Sequence, residues 1–180
     1  MTIPNLITSI RIILAPIFVI YLINDRPLSA LFIFILAGLS DGLDGLVARL
    51  FAQKSKLGSY LDPLADKILL VTAFVILAVK GLVPSWLTVV VISRDILILL
   101  GVLILFLNEV DFAIKPSILS KMTTCLQLVA VFVVLSKDYF QFSSQLSFYL
   151  FLITGFLTIG SGLHYMRYWF GMMNEGPLSE

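Results

Sequence analysis

Four aspartates break the apolar character of this 180-residue chain between positions 41 and 66. Asp41, Asp44, Gly45 and Ala48 stand at i, i+3, i+4 and i+7, so on a helix they share one face. Gly58, Asp62 and Asp66 recur every fourth residue and form a second stripe. Gln53, Lys54, Ser55 and Lys56 lie between the stripes and read as a turn at a membrane surface. Two helices joined by so short a link run antiparallel, so the stripes can face each other across one small volume. A carboxylate at the centre of a helix in lipid costs roughly 2.5–3.5 kcal/mol to insert. Four of them need a compensating partner, and a divalent cation is the simplest one. Carboxylate oxygens are hard donors that suit Mg²⁺ or Mn²⁺.

The neighbouring residues narrow the chemistry. Gly45 and Ala48 keep one face small, so a ligand or another backbone can approach closely. Arg49 adds a planar, permanently charged fork suited to phosphate. Metal-binding acids, small residues and an arginine together point to a metal-bridged phosphate ester. Salt bridges to Arg49, Lys54, Lys56 and Lys67 account for any one acid, but poorly for four on two stripes with glycines in phase.

The run Asp41-x-x-Asp44-Gly45-x-x-Ala48-Arg49, eight further residues, then Gly58-x-x-x-Asp62-x-x-x-Asp66 resembles the signature of the CDP-alcohol phosphatidyltransferase family. Every motif position matches, including the gap. The resemblance implies an all-α, polytopic integral membrane enzyme of six transmembrane helices, usually a homodimer. It implies transfer of a phosphatidyl group from CDP-diacylglycerol to an alcohol, with release of CMP. Asp41, Asp44, Asp62 and Asp66 would hold the metal. Asp44, Gly45, Ala48, Arg49 and Gly58 would receive the CDP-lipid. The matching aspartate is assigned as general base in the family, which puts that role on Asp66. Spacing alone leaves Asp66 open between base and fourth ligand.

Composition fits a membrane domain. The chain is 59% hydrophobic with a mean hydropathy of +1.05, too apolar for an ordinary soluble domain. A net charge of +1 gives nucleic acid no purchase. The single Cys125 cannot close an intramolecular disulfide. One domain over 1–180 is expected, with apolar spans over 6–23, 28–50, 60–80, 85–107, 118–135 and 146–169. The first span is too long for a signal peptide and lacks a small-residue cleavage site. Arg49, Lys54 and Lys56 mark the cytoplasmic face by the positive-inside tendency, so the site should open to the cytoplasm of a cell (inner) membrane. Six spans would place both ends of the chain inside. Pro63 suits a first helical turn, which predicts Asp62 at or near the N-cap of the third helix.

Other polar residues need positions too. Arg11 either snorkels to the interface or faces a polar cavity. Ile3-Pro4-Asn5-Leu6 followed by Arg11 is similar to the opening of glycerophosphate-using members of the family. Ser93-Arg94-Asp95 lies inside an apolar run, and charge there is a functional candidate. An internal Arg94–Asp95 pair is disfavoured by the rule that adjacent helical residues do not face each other. Ser136 to Gln145 reads as a polar connection. Gly160 and Gly162 are expected to allow close helix packing. His164, Tyr165, Arg167, Tyr168 and Trp169 resemble an interfacial belt.

In the family, basic residues on later helices help hold the acceptor's phosphate, which Arg94 and Lys121 match in position. The acceptor favoured is glycerol 3-phosphate, giving phosphatidylglycerophosphate for anionic phospholipid synthesis. The alternative is phosphatidylglycerol, giving cardiolipin. Ser93-Arg94-Asp95 and Pro116-Ser117-x-x-Ser120-Lys121 look closer to that branch, and depart from the Gly-Arg-Glu and Gly-Lys pattern of many phosphatidylglycerophosphate synthases. A cation transporter would also explain acids in a membrane, but not the fixed gap between Arg49 and an in-register Gly58.

Overall fold

The computed structural model describes the backbone of residues 3–51, 58–107 and 117–174, and the side chains of 11, 13–40, 67–101, 104, 117–137, 139–167 and 169. Among the described residues the chain forms helices α1 (Ile3–Ile23), α2 (Pro27–Phe51), α3 (Gly58–Val79), α4 (Ser85–Leu107), α5 (Ile118–Phe140) and α6 (Ser144–Asn174), and no strand. Two compact units emerge: residues 1–82 with 131–142, and residues 83–130 with 143–180. α5 is one continuous helix whose residues divide between them after Ala130.

In the first unit α1 packs on both α2 and α3. Pro27 opens α2, where its missing N–H has no helical partner to lose. α1 ends when Arg26 N–H donates to the Tyr21 carbonyl (2.9 Å) and Asp25 N–H to that of Leu22 (3.2 Å), with Asp25 at φ 54°. α3 ends in the same way: Leu82 N–H donates to Leu77 and Gly81 N–H to Ala78, both at 2.9 Å, with Gly81 at φ 70°. These are Schellman endings, which satisfy carbonyls the helix leaves orphaned. The side chains of Lys80 and Asp25 pair between the two turns. Phe18 and Phe34 lie in the core with ring centroids 5.9 Å apart.

In the second unit Trp86 meets Gly155, Arg94 meets Ser161 and Gly162, and Gly101 meets Trp169. Residue numbers rise together, so α4 and α6 run parallel. Ser117 meets Tyr165 and Thr123 meets Leu157, numbers that run in opposite senses, so α5 is antiparallel to α6.

Polarity is distributed inside out. Arg94, Asp95, Thr123, Gln127, Thr158 and Ser161 are buried, while Leu99, Phe156 and Leu163 lie more than half exposed. In the first unit Ile13, Phe32 and Leu39 are about as exposed as these. Helices that are apolar on their outward faces need an apolar solvent. Among the described residues, Ile118–Lys137 and Ser144–Arg167 are long and apolar enough to cross a membrane; Ile13–Ile23, Pro27–Ser40 and Lys67–Val79 are shorter apolar stretches.

Several local expectations are corrected. α3 starts at Gly58, so Asp62 and Pro63 lie a turn inside the helix, not at its cap. α5 runs on to Phe140 through the expected connection. Ser136 can stay helical because its hydroxyl donates to the Phe132 carbonyl at 2.7 Å. Gly160 faces open space and packs nothing closely. Gly162 does meet a neighbouring helix, since an added Cβ would lie 3.6 Å from Arg94 Cγ, and the closest approaches fall at Gly101 and Gly155, where an added Cβ would strike the Trp169 and Trp86 rings.

Candidate active site

α2 is helical through Asp41, Asp44, Gly45, Ala48 and Arg49, so these positions share one helical face as the spacing requires. α3 is helical through Gly58, Asp62 and Asp66, which share another. The side chains of these eight residues lie outside the described set, as do residues 52–57 that join the helices. Ser40, just before the first acid, donates its hydroxyl to the Leu36 carbonyl at 2.8 Å. Both acid-bearing helices are fastened to α1.

Arg11 sits on that shared helix and is only 1% exposed. The snorkelling reading is therefore overturned, because a snorkelling side chain keeps its head in water. At 1.5 Å per residue, Arg11 and Ser40 each stand about 18–20 Å from the tight α1–α2 turn. On this antiparallel pair Arg11 thus lies level with the start of the first acid stripe.

The other candidates belong to the second unit. Arg94 is 3% exposed, and its Nη1 donates to Asp95 Oδ1 at 2.7 Å. This corrects the expectation that adjacent residues would not pair. The spacing rule describes Cβ positions, and the long arginine side chain reaches past it. Burial leaves both charges dependent on partners close by. Arg94 Nη2 donates to Ser120 Oγ (2.5 Å) and to Ser161 Oγ (3.1 Å), from α5 and α6. Its Nε has no hydrogen-bond partner among the described residues.

Lys121 follows Ser120 in the first turn of α5 and is exposed. That turn is capped: Ser117 Oγ accepts from Ser120 N–H at 3.1 Å, and Ser117 N–H donates to Tyr165 Oη at 3.4 Å. A buried guanidinium from α4 thus reaches the start of α5, where the next residue carries an exposed ammonium. His164 is exposed, as an interfacial residue would be, and its ring stands at 76° to that of Tyr165.

Sequence reasoning missed Ser161 and gave Ser120 no contact. The available signal was the recurrence of Thr154, Thr158, Ser161 and Tyr165 at helical spacing on α6, which marks a polar stripe. That stripe continues away from Arg94: Gln127 Nε2 donates to Thr158 Oγ1 at 3.3 Å, and Thr123 Oγ1 to the Leu157 carbonyl at 3.2 Å.

Comparison with known proteins covers nearly all of the chain. The CDP-alcohol phosphatidyltransferase family model matches residues 1–160. The chain is 37% identical over 184 residues to the cardiolipin synthase (CMP-forming) of Homo sapiens, covering 93% of this chain and 61% of that protein. It is 30% identical over 183 residues to the probable cardiolipin synthase (CMP-forming) of Drosophila melanogaster, covering 92% and 57%. It is 34% identical over 177 residues to the CDP-diacylglycerol–glycerol-3-phosphate 3-phosphatidyltransferase of Pseudomonas fluorescens, covering 93% and 89%. The chain thus spans about three fifths of the two longer relatives and most of the third. A family model that matches from the first residue through both aspartate stripes to within α6 leaves one conclusion: the chain belongs to the CDP-alcohol phosphatidyltransferase family.

Proposed function

We propose that this chain transfers a phosphatidyl group from CDP-diacylglycerol to the hydroxyl of an alcohol and releases CMP. The observation that carries this is the pair of stripes, Asp41 to Arg49 on α2 and Gly58 to Asp66 on α3, on two helices packed against one α1.

Four carboxylates are a donor set of hard oxygens, which fits Mg²⁺ or Mn²⁺. Asp41, Asp44, Asp62 and Asp66 would hold the metal, which when bound neutralises the pyrophosphate and stabilises the departing CMP. Gly45, Ala48 and Gly58 leave room for the nucleotide, and Arg49 adds charge for its phosphates. Asp66 takes the proton of the acceptor hydroxyl. The acceptor oxygen then bonds to the phosphorus that carries diacylglycerol, and the bond from that phosphorus to the CMP oxygen breaks. Arg94 and Lys121 hold the acceptor's phosphate.

Phosphatidylglycerol is the acceptor we place first. The relatives with 37% and 30% identity are named cardiolipin synthases, and Ser93-Arg94-Asp95 has the look of that branch. Glycerol 3-phosphate is the second reading. It is supported by the Ile3-Pro4-Asn5-Leu6…Arg11 opening and by the Pseudomonas relative, which matches over most of its length. Cation transport loses its ground with family membership.

The same proposal places the chain as one domain of six spans in the cell (inner) membrane, working as a homodimer. Its site would face the cytoplasm, on the side marked by Arg49, Lys54 and Lys56.

An acceptor panel tests the reading. Purified protein, CDP-diacylglycerol and Mg²⁺ should release CMP with phosphatidylglycerol and form cardiolipin. CMP with glycerol 3-phosphate alone would move the acceptor to the second reading. No CMP with any alcohol, from folded protein, would overturn the function.

A further inference from the structure

We infer that Ser120 and Ser161 are positioning residues that clamp the Arg94 guanidinium, so that α6 takes part in holding the acceptor. The inference rests on the proposed function only in assigning the acceptor's phosphate to Arg94.

The Nη2 nitrogen of Arg94 carries two hydrogens, and both are committed: one to Ser120 on α5 and one to Ser161 on α6. Nη1 is tied to Asp95 on its own helix. Three helices therefore fix one flexible side chain. Other hydroxyls on these helices behave differently. Those of Thr124 and Thr154 donate to the carbonyl four residues back, which only satisfies the hydroxyl, and that of Thr158 does the same while accepting from the neutral Gln127 amide. Ser120 and Ser161 accept from a positive charge instead. Ser161 is fully buried and so is out of reach of solvent.

The clamp determines which edge of the guanidinium remains. A guanidinium has five N–H donors, so two remain: Nε–H, buried and without a hydrogen-bond partner among the described residues, and the second hydrogen on Nη1; a fork held at both Nη nitrogens fixes where each of them points. A donor already fixed loses little freedom when an anion arrives. Ser120 also precedes Lys121, so the contact that fixes Arg94 sets the distance between the two cations at the start of α5.

The test uses the full chain in lipid nanodiscs and varies each substrate in turn. Ser161→Ala should raise the KM for the acceptor about tenfold, as expected for losing one hydrogen bond to a charged group. The KM for CDP-diacylglycerol should stay within about twofold, because that substrate does not rely on this bond. Gly160→Ala, at an open position on the same helix, should change neither. Equal changes in both KM values, or none, would overturn the clamp. Ser120→Ala probes the same nitrogen from a half-buried position if Ser161→Ala does not fold. A second readout needs no turnover: in protein with ¹⁵N-labelled arginine, the Arg94 Nη signals, assigned with Arg94→Lys, should be separate in the wild type and should merge at a lower temperature in Ser161→Ala, which keeps only the Asp95 and Ser120 bonds. Merged signals in the wild type would refute the clamp. If the wild type releases no CMP, the functional reading fails, and the nitrogen spectra still decide the clamp.

Discussion

Asp25 and Lys80 pair across the two turns that close α1 and α3, and Asp25 does so from a left-handed backbone. The two features predict opposite sensitivities. The ion pair is wet, with the Asp25 side chain 87% exposed, so Lys80→Met should move the thermal midpoint very little. The backbone is less forgiving. Asp25→Asn and Asp25→Gly should be tolerated, whereas Asp25→Val should lower the midpoint, because a β-branched residue resists positive φ. A melt of the four variants in detergent checks the order, and a larger loss in Lys80→Met than in Asp25→Val would contradict it.

Gly155 and Gly160 are five residues apart on α6 and should respond differently to one methyl group. A Cβ on Gly155 would come 2.6 Å from the Trp86 ring, and overpacking of this kind costs about 1–3 kcal/mol. A Cβ on Gly160 meets nothing, so Gly160→Ala should be neutral or slightly stabilising. Paired unfolding curves decide this, and equal midpoints would mean that α4 and α6 are not seated as described.

Arg11 is buried in α1 at the level where the first acid stripe begins. Arg11→Gln should therefore abolish most CMP release, and Arg11→Lys should restore only part of it, because lysine keeps the charge but not the fork. A side chain that merely anchored the helix at the interface would tolerate both changes. Near-normal turnover in Arg11→Gln would place the residue outside the site.

Asp66 and Asp44 should separate chemistry from binding. Asp66→Ala should stop CMP release while CDP-diacylglycerol still binds, and Asp44→Ala should lose both. Chelation with EDTA should silence the wild type, and added Mg²⁺ should restore it. Binding measured with a labelled CDP-lipid, beside turnover, distinguishes the two aspartates. Asp66→Ala that still turns over normally would remove the base assignment.

How much of this was legible in the sequence depends on the kind of signal. α4 was read at both ends, Ser85 and Leu107, because Pro84 and a polar stretch punctuate an apolar run. α3 was misread at its start, since Pro63 argued for a first turn that lies a turn earlier. The end of α5 was misread because Ser136 looked like a connection, and its hydroxyl returns to its own helix. The two aspartate stripes were legible because helical spacing is local. The surroundings of Arg94 were not: Ser120 and Ser161 lie 26 and 67 residues away, and no period in the sequence joins them. The Arg94–Asp95 pair was dismissed on a spacing rule that ignores the reach of a long side chain.

The same pair bears on the order in which the molecule is assembled. Asp95 is the next residue, so Arg94 has its counter-charge as soon as α4 has coiled, before Ser120 and long before Ser161 have been synthesised. A helix that carries its own neutraliser can leave water alone. The serines then arrive as later guests: they do not admit the arginine to the lipid, they aim it.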